Sequence, residues 1–403
     1  MKIGIIGGGA AGLVAAITAA EAGHQVTVLE HSNRIGKKIL LTGNGRCNLT
    51  NSDQDLSHFH GGNLDLIQTV LKQCSYADTL SFFTNLGIYT KNKNGCLYPY
   101  SEQASAVLEV LRMKLRSLSV EILTDCQVKR LKKEACFIAE TNQGQLQFDK
   151  LILATGSKAA EQTGSDGSGY ALAKAFGHTI IKPLPALVQL RSEEVYFKQL
   201  AGIRTQAGLT LYCSKKPVGK EIGELQLTSY GLSGIPTFQL SHLAARALDE
   251  GQKVTMQIDF MPDMELTTLT AYLKSRAVNG PDKKAEELLI GILHKNLSLL
   301  LVKLSGIKAD RRADSVTEQE LVRVAELMKQ FTVPVSGTNS FREAQVCSGG
   351  INTAEITGQL ESRLVKGLYF AGEIIDVHGD CGGYNLQWAW SSGMVAGRIQ
   401  KSD

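Results

Sequence analysis

Proline is scarce in this sequence, at 8 of 403 residues, where about 5% is usual. Disordered and collagen-like chains are rich in both proline and glycine, so those classes are excluded. An excess of either charge is missing too: 43 Lys and Arg against 39 Asp and Glu leave a net charge of +4. That is too little to argue for a nucleic-acid partner, and the basic doublets Lys37-Lys38, Lys132-Lys133, Lys215-Lys216 and Arg311-Arg312 are isolated. None of the 8 cysteines forms a C-x-x-C or C-x4-C pair, which disfavours a disulfide reductase. Their spacing is unlike that of a small secreted scaffold, so reduced thiols and a cytoplasmic location are expected.

Other signatures are missing as well. No G-x-S-x-G supports a serine hydrolase, and there is no internal repeat or low-complexity tract. His58 and His60 would share one strand face, but no Cys or carboxylate stands at ligand spacing, so no metal is expected. The uncharged run Ile3 to Ala20 mimics an export signal. Its three consecutive glycines would each cost an export or membrane helix about 1 kcal/mol relative to alanine. Neither export nor membrane insertion is therefore expected, and the sequon Asn48-Leu49-Thr50 is read as unglycosylated.

Glycine, in contrast, is abundant, at 40 of 403 residues, which suggests a backbone that must approach something closely. The first cluster explains why. Lys2 to Ile6 is an apolar run of strand length, and Gly7-Gly8-Gly9-Ala10-Ala11-Gly12 then fits G-x-G-x-x-G. An alanine-rich helix over 10–22, a stop at Gly23, a strand over 25–29 and a closing Glu30 follow in order. Gly7 permits the tight turn, Gly9 admits a pyrophosphate, and Gly12 lets helix pack on strand. The helix N-terminus faces the phosphates, and Glu30 accepts from a ribose hydroxyl. This unit does not separate NAD from FAD, although an acid at Glu30 argues against a 2′-phosphate.

Further clusters narrow the choice. Arg34 to Lys38 and Leu41 to Asn48 form an anion- and amide-rich loop suited to a cofactor's polar rim. Phe148 to Gly156 is a buried strand ending in Thr155-Gly156, and Gly164 to Tyr170 opens another helix. Near the C-terminus Leu368 to Phe370 runs into Gly372-Glu373, with Asp376 beyond. Gly379 to Ala389 and a small-residue helix at 391–397 follow. A dinucleotide fingerprint paired with this C-terminal Gly-Glu, Asp and Gly-Gly segment suits FAD, with glycine N–H groups presented to the ring. No second G-x-G-x-x-G follows a predicted strand, so no separate NAD(P)H domain is visible.

On these blocks the sequence resembles the BaiN/YhiN-like family of FAD-dependent oxidoreductases, also called the aminoacetone oxidase family. The likeness runs from end to end and is carried most specifically by Gly43-Asn-Gly-Arg-Cys-Asn48 and Gly382-Gly-Tyr-Asn-Leu-Gln-Trp-Ala389. It implies an extended FAD, with Glu30 on the adenosine ribose, Val128 near the adenine, and Thr42 to Asn48 with Asp376 around the ribitol and isoalloxazine. The residues expected to line the cofactor are Gly7, Gly9, Ala10, Ala11, Gly12, Glu30, His31, Lys37, Lys38, Thr42, Gly43, Asn44, Arg46, Cys47, Asn48, Val128, Ala154, Thr155, Gly156, Gly372, Glu373, Asp376, Gly382, Gly383, Tyr384, Asn385 and Leu386. Two departures concern the substrate rather than the fold. Ser229 stands where the family often has His, and Val346-Cys-Ser-Gly-Gly-Ile351 replaces V-T-x-G-G-V.

Between about 190 and 344 the nucleotide motifs stop. Strands are predicted at 188–190, 209–213, 224–228 and 254–260, then helices at 265–278, 284–304 and 317–331, the last opened by Thr317-x-x-Glu320. The predicted fold is α/β: a discontinuous Rossmann-like FAD-binding domain (1–190 and 345–403) with an inserted β-rich, barrel-like domain (191–344). That insert carries a helical subdomain at about 264–331.

Flavin hydride transfer is the expected reaction class. Tyr384, His378, Asp380 and Tyr230 are candidates for proton transfer. Trp388 and Trp390 read as core. Three functions stay open: an NAD(P)H-fed reductase of a C=C or enone small molecule, of which 3-oxo bile-acid-like compounds are one case; an oxygen-using amine oxidase; and an FAD-containing protein acting on RNA. The chain is read as a monomer or homodimer with a small-molecule substrate.

Overall fold

The computed structural model describes residues 1–280 and 282–400. The chain divides into two compact units, Met1–Leu184 with Ala344–Asp403, and Pro185–Glu343.

The first unit is organised by a five-stranded parallel sheet, in the order 368–370, 150–153, 2–6, 25–29, 121–123. Ile5 pairs with both Ile152 and Val28, and Ile3, Ile5, Val28, Leu151 and Leu153 are fully buried. Burial on both faces is why these strands read as continuous apolar runs rather than alternating ones. The helix Ala10–Glu21 follows the first strand and stops where Gly23 takes a φ of +81°. The edge strand 368–370 brings the C-terminal segment back beside the N-terminal one.

The last helix, Tyr384–Gly397, lies against the first. A Cβ at Gly393 or Gly397 would strike the carbonyl oxygens of Ala11 and Ala15, so these two glycines set how closely the helices approach. This helix begins seven residues earlier than the small-residue pattern at 391–397 suggests. Its first turns are rich in Trp, Gln and Asn, and burial rather than propensity makes them helical. Two further helices are Leu64–Gln73 and Tyr76–Asn85, the second opened by a capping box of Ser75 and Asp78. The unit also holds a three-stranded antiparallel sheet (128–133, 137–141, 144–148) and smaller ones, among them 377–379 paired with 59–61. The edge strand 128–133 carries Lys129, Arg130, Lys132 and Lys133, which discourages edge-to-edge pairing.

The second unit holds a seven-stranded sheet, in the order 331–335, 254–259, 204–213, 216–228, 231–233, 190–191, 337–338, antiparallel at every pairing. Helices Ile235–Asp249, Leu266–Val278, Lys295–Leu304 and Glu318–Lys329 accompany it. The capping box at Thr317 and Glu320 forms as its spacing predicts. The single helix predicted over 284–304 does not. Lys284 bridges Arg312, and Ala285 N–H donates to the Arg311 carbonyl, so this backbone pairs across the chain instead of with itself. A 3-10 turn (Ala285–Glu287) results, and the α-helix starts only at Lys295, with His294 as its cap. The helix predicted to reach 331 ends at Lys329, because Phe331 opens a strand paired with Ile258.

Among the described residues no helix is long and apolar enough to cross a membrane.

Candidate functional site

All the predicted cofactor residues lie in the first unit, most of them beyond the carboxyl ends of its parallel strands, in loops and the first turns of helices. At the first turn Gly7 has a φ of +108°, and a Cβ there would meet the Ala154 carbonyl. A Cβ at Gly12 would run into the Gly7 carbonyl oxygen. Gly9 differs: its backbone is extended, and an added Cβ meets nothing within 4 Å. The protein itself thus requires Gly7 and Gly12, whereas Gly9 opens onto space that a ligand could use. Helix Ala10–Glu21 has no side-chain cap and no acid in its first turn, so its free N–H groups and positive dipole end suit a pyrophosphate.

Glu30 does more than its ribose assignment implies. One carboxylate oxygen accepts from Gly8 N–H at 2.8 Å and the other from Ser32 N–H at 2.7 Å. It therefore fixes the glycine turn, and each oxygen keeps a lone pair for a ribose hydroxyl. His31 lies beside it, 3.9 Å from the carboxylate. Lys38 ties the second loop to the C-terminal segment: its Nζ donates to Glu373 at 2.6 Å and to the Ala159 carbonyl at 3.3 Å, while Ser157 Oγ also donates to Glu373. Val128 opens the edge strand of the small sheet, half-buried.

Within the G-N-G-R-C-N loop, Asn44 and Cys47 both take positive φ values (54° and 58°), which explains its Gly- and Asn-rich composition. Cys47 is fully buried, and burial pushes its thiol up to about 12, so it packs rather than reacts. Asn48 Oδ1 and Thr155 Oγ1 are buried and have no hydrogen-bond partner among the described residues. Such atoms are costly unless something pairs with them, and both belong to segments assigned to FAD. The residues present fit that cofactor.

The C-terminal loop is held from far away in sequence. Gln387, fully buried, accepts from Thr50 Oγ1 at 2.6 Å and donates to Thr79 and Ser391. Trp390 Nε1 donates to the Leu49 carbonyl and Trp388 Nε1 to the Gly372 carbonyl. Burying each indole is worth about 4–6 kcal/mol as an upper figure. Asn385 spends its amide on its own loop, accepting from Gly379 N–H and donating to the Gly379 carbonyl. Asn51 donates to the Gly382 carbonyl.

Beside this loop stands a cluster that composition alone did not reveal. Asp380 accepts from His58 Nδ1 at 3.0 Å and from His60 Nε2 at 2.8 Å. His58 Nε2 faces Asp53 at 3.2 Å. With a carboxylate facing each ring nitrogen, the two bonds favour the doubly protonated ring of His58. Burial alone would lower its pKa; the bonds to Asp380 and Asp53 outweigh it and carry the value above the ordinary histidine range. Burial would likewise raise Asp380, yet the two histidines hold it below the usual carboxylate value. The Tyr384 ring stacks on His58 with centroids 4.4 Å apart. Burial first, then Asp53 and Asp380, push its phenol well above the ordinary value, so it stays protonated.

Of the candidate proton-transfer residues, Tyr384, His378 and Asp380 thus gather in the first unit, with His378 paired across strands to His60. Tyr230 lies in the second unit, where its hydroxyl accepts from Asn339 at 3.2 Å. Nothing in the local sequence marks His58, His60 or Gln387 as partners of this loop. The H-x-H spacing hinted at a shared face, but nothing local named Asp380 as what that face grips. Among the described residues no group of three His, Cys, Asp or Glu is arranged to hold a metal ion.

Residues 1–399 match the family described as HI0933-like protein Rossmann domain. The chain is 44% identical over 401 residues to a 3-dehydro-bile acid delta(4,6)-reductase of Clostridium scindens, spanning 98% of each. It is 30% identical over 397 residues to a ribosomal RNA dihydrouridine synthase of Haemophilus influenzae, covering 96% of this chain and 95% of the relative. A ribosomal RNA dihydrouridine synthase of Escherichia coli is 29% identical over 394 residues, with the same coverage of 96% and 95%.

Proposed function

Since the chain belongs to the HI0933-like family of FAD-dependent oxidoreductases, we propose that it reduces a carbon–carbon double bond conjugated to a carbonyl, with electrons drawn from NADH or NADPH. One observation carries this reading: the differently named relatives share a single chemistry. The Δ4 and Δ6 bonds of a 3-oxo steroid are conjugated to its carbonyl, and the uridine double bond that becomes saturated in dihydrouridine is conjugated too. Both names denote the net addition of two hydrogens across such an alkene.

FAD, when bound, supplies the hydride chemistry. The residues of this chain supply the rest. The Gly7–Gly12 turn and the helix that follows it would face the pyrophosphate, and Glu30 would accept from the ribose. Lys38, Thr42 to Asn48, Glu373, Asp376 and Gly382 to Leu386 would surround the ribitol and ring. To Tyr384, a protonated phenol stacked on His58, we assign the role of proton donor. The substrate proposed is a small unsaturated ketone of the 3-oxo steroid type, in line with the 44% identical relative. A uracil base in RNA is the second reading, favoured by the relatives at 30% and 29% identity.

The test begins with purified protein, which should carry stoichiometric FAD. Under anaerobic conditions NADH or NADPH should bleach it quickly, and the reduced protein should react slowly with oxygen. Slow bleaching with fast reoxidation by oxygen would instead favour an amine-oxidase type of enzyme. Protein that neither retains nor rebinds FAD would remove the basis of the proposal.

A further inference from the structure

Tyr170 lies on the short helix Ser168–Lys174 of the first unit, in the run Gly164 to Tyr170. Its side chain is within the main core, only 6% exposed, and its hydroxyl has no hydrogen-bond partner among the described residues. Phenylalanine would fill the same space without leaving a buried polar atom unpaired, which normally costs stability. The phenolic oxygen is therefore unexplained by the packing around it.

Its surroundings are specific. Glu373 and Asp376, in the segment assigned to the flavin end of the cofactor, are within electrostatic reach, as is Cys347 on the strand Val346–Ile351. Burial and then these groups push the Tyr170 phenol far above its ordinary value, so it is a donor at any working pH. Asn48 Oδ1 and Thr155 Oγ1, in two other cofactor segments, are also buried and unpaired. Thr155 abuts the Tyr170 helix, because a Cβ at Gly169 would collide with its hydroxyl. The unpaired hydroxyls of Tyr170 and Thr155 thus sit on adjoining segments, as a polar ligand bound beside them would require.

We propose that the Tyr170 hydroxyl is a cofactor ligand, donating a hydrogen bond to the ribitol–isoalloxazine end of FAD. The inference rests on the FAD reading above. It predicts that the hydroxyl matters to the cofactor and not to the protein.

The experiment compares wild type and Tyr170→Phe after flavin removal. The stripped variant should melt at the wild-type temperature or slightly above it, because the lost hydroxyl has no protein partner. Its FAD affinity, titrated by flavin fluorescence, should fall about tenfold, the usual loss for a removed hydrogen bond at a buried site. Its affinity for ADP, which lacks the flavin end, should be unchanged. Equal FAD affinity in the two proteins would overturn the inference, as would a lower melting temperature with parallel losses for FAD and ADP, the mark of a structural hydroxyl or a buried water. Wild type that fails to bind FAD would sink the earlier reading itself, whereas wild type that binds beside an unaffected variant would sink only this one.

Discussion

The two ends of the FAD-assigned surface are built in opposite ways. The turn at Gly7 to Gly12 is tied locally: its longest side-chain hydrogen bond runs from Gly8 to Glu30, 22 residues apart. The loop at Gly379 to Tyr384 is held by partners such as His58, 322 residues from Asp380, and Leu49, 341 residues from Trp390. A local site tolerates strain elsewhere but not a change in its own few residues. A non-local site depends on the whole unit being folded. Breaking each should therefore leave a different signature.

The largest effect is expected at Trp390. Trp390→Ala empties a fully buried site and orphans the Leu49 carbonyl, at a cost of about 3–5 kcal/mol. Urea denaturation should show that loss together with loss of bound flavin. Asp380→Asn should cost about 1–3 kcal/mol, since it replaces a charged acceptor shared by two histidines. The comparison sharpens at Gly9. Gly9→Ala should leave the stripped protein's stability within about 0.5 kcal/mol, because its Cβ meets no protein atom. Even so, FAD affinity should fall by about tenfold or more, because the Cβ would enter the space assigned to the pyrophosphate. A stability loss as large as that of Trp390→Ala would erase the distinction between the two ends.

Protonation gives a subtler contrast between two histidine clusters. His58 has a raised pKa in the folded protein, so its contribution is complete below the unfolded value of about 6.5. That contribution is lost as pH rises through the higher folded value. His178 has the opposite sign. Fully buried, it lies between Glu355 at 3.0 Å and Ser362 at 2.7 Å, and burial outweighs the carboxylate to lower its pKa. Its contribution is present above about 6.5 and is lost as pH falls through the lower folded value. Melting curves from about pH 5 to 8 should therefore diverge. Asp380→Asn should reduce the decline on the alkaline side, and His178→Gln the decline on the acid side. The smallest effect belongs to the surface: Arg130→Ala, removing an exposed pair with Glu140, should change stability by less than about 0.5 kcal/mol.

Legibility in the sequence follows the same division. The strand, glycine turn, helix and Glu30 could be read in order because each is specified by its neighbours, and they stand where the spacing puts them. The family resemblance extended this to the second half of the surface, since Gly382 to Ala389 is specific as a string. What the string does was not legible. Gln387 ties three segments together, and Asp380 is gripped by two rings more than 300 residues away. No periodicity encodes such pairs. The broken helix at 284–304 fails for the same reason, because Lys284 pairs with Arg312 and this pairing overrides a good local helix pattern.

The central claim is conjugate reduction, and anaerobic single turnover tests it most directly. Protein reduced with NADH or NADPH is mixed with a 3-oxo-Δ4 steroid, with its saturated counterpart, or with uridine-containing RNA, and flavin absorbance is followed. The account predicts rapid reoxidation by the unsaturated ketone, with a product that has gained two hydrogens, and none by the saturated one. Reoxidation by the RNA alone would transfer the same chemistry to the second reading. Reduced protein that stays bleached with every conjugated alkene, yet reoxidises promptly in oxygen, would contradict the claim.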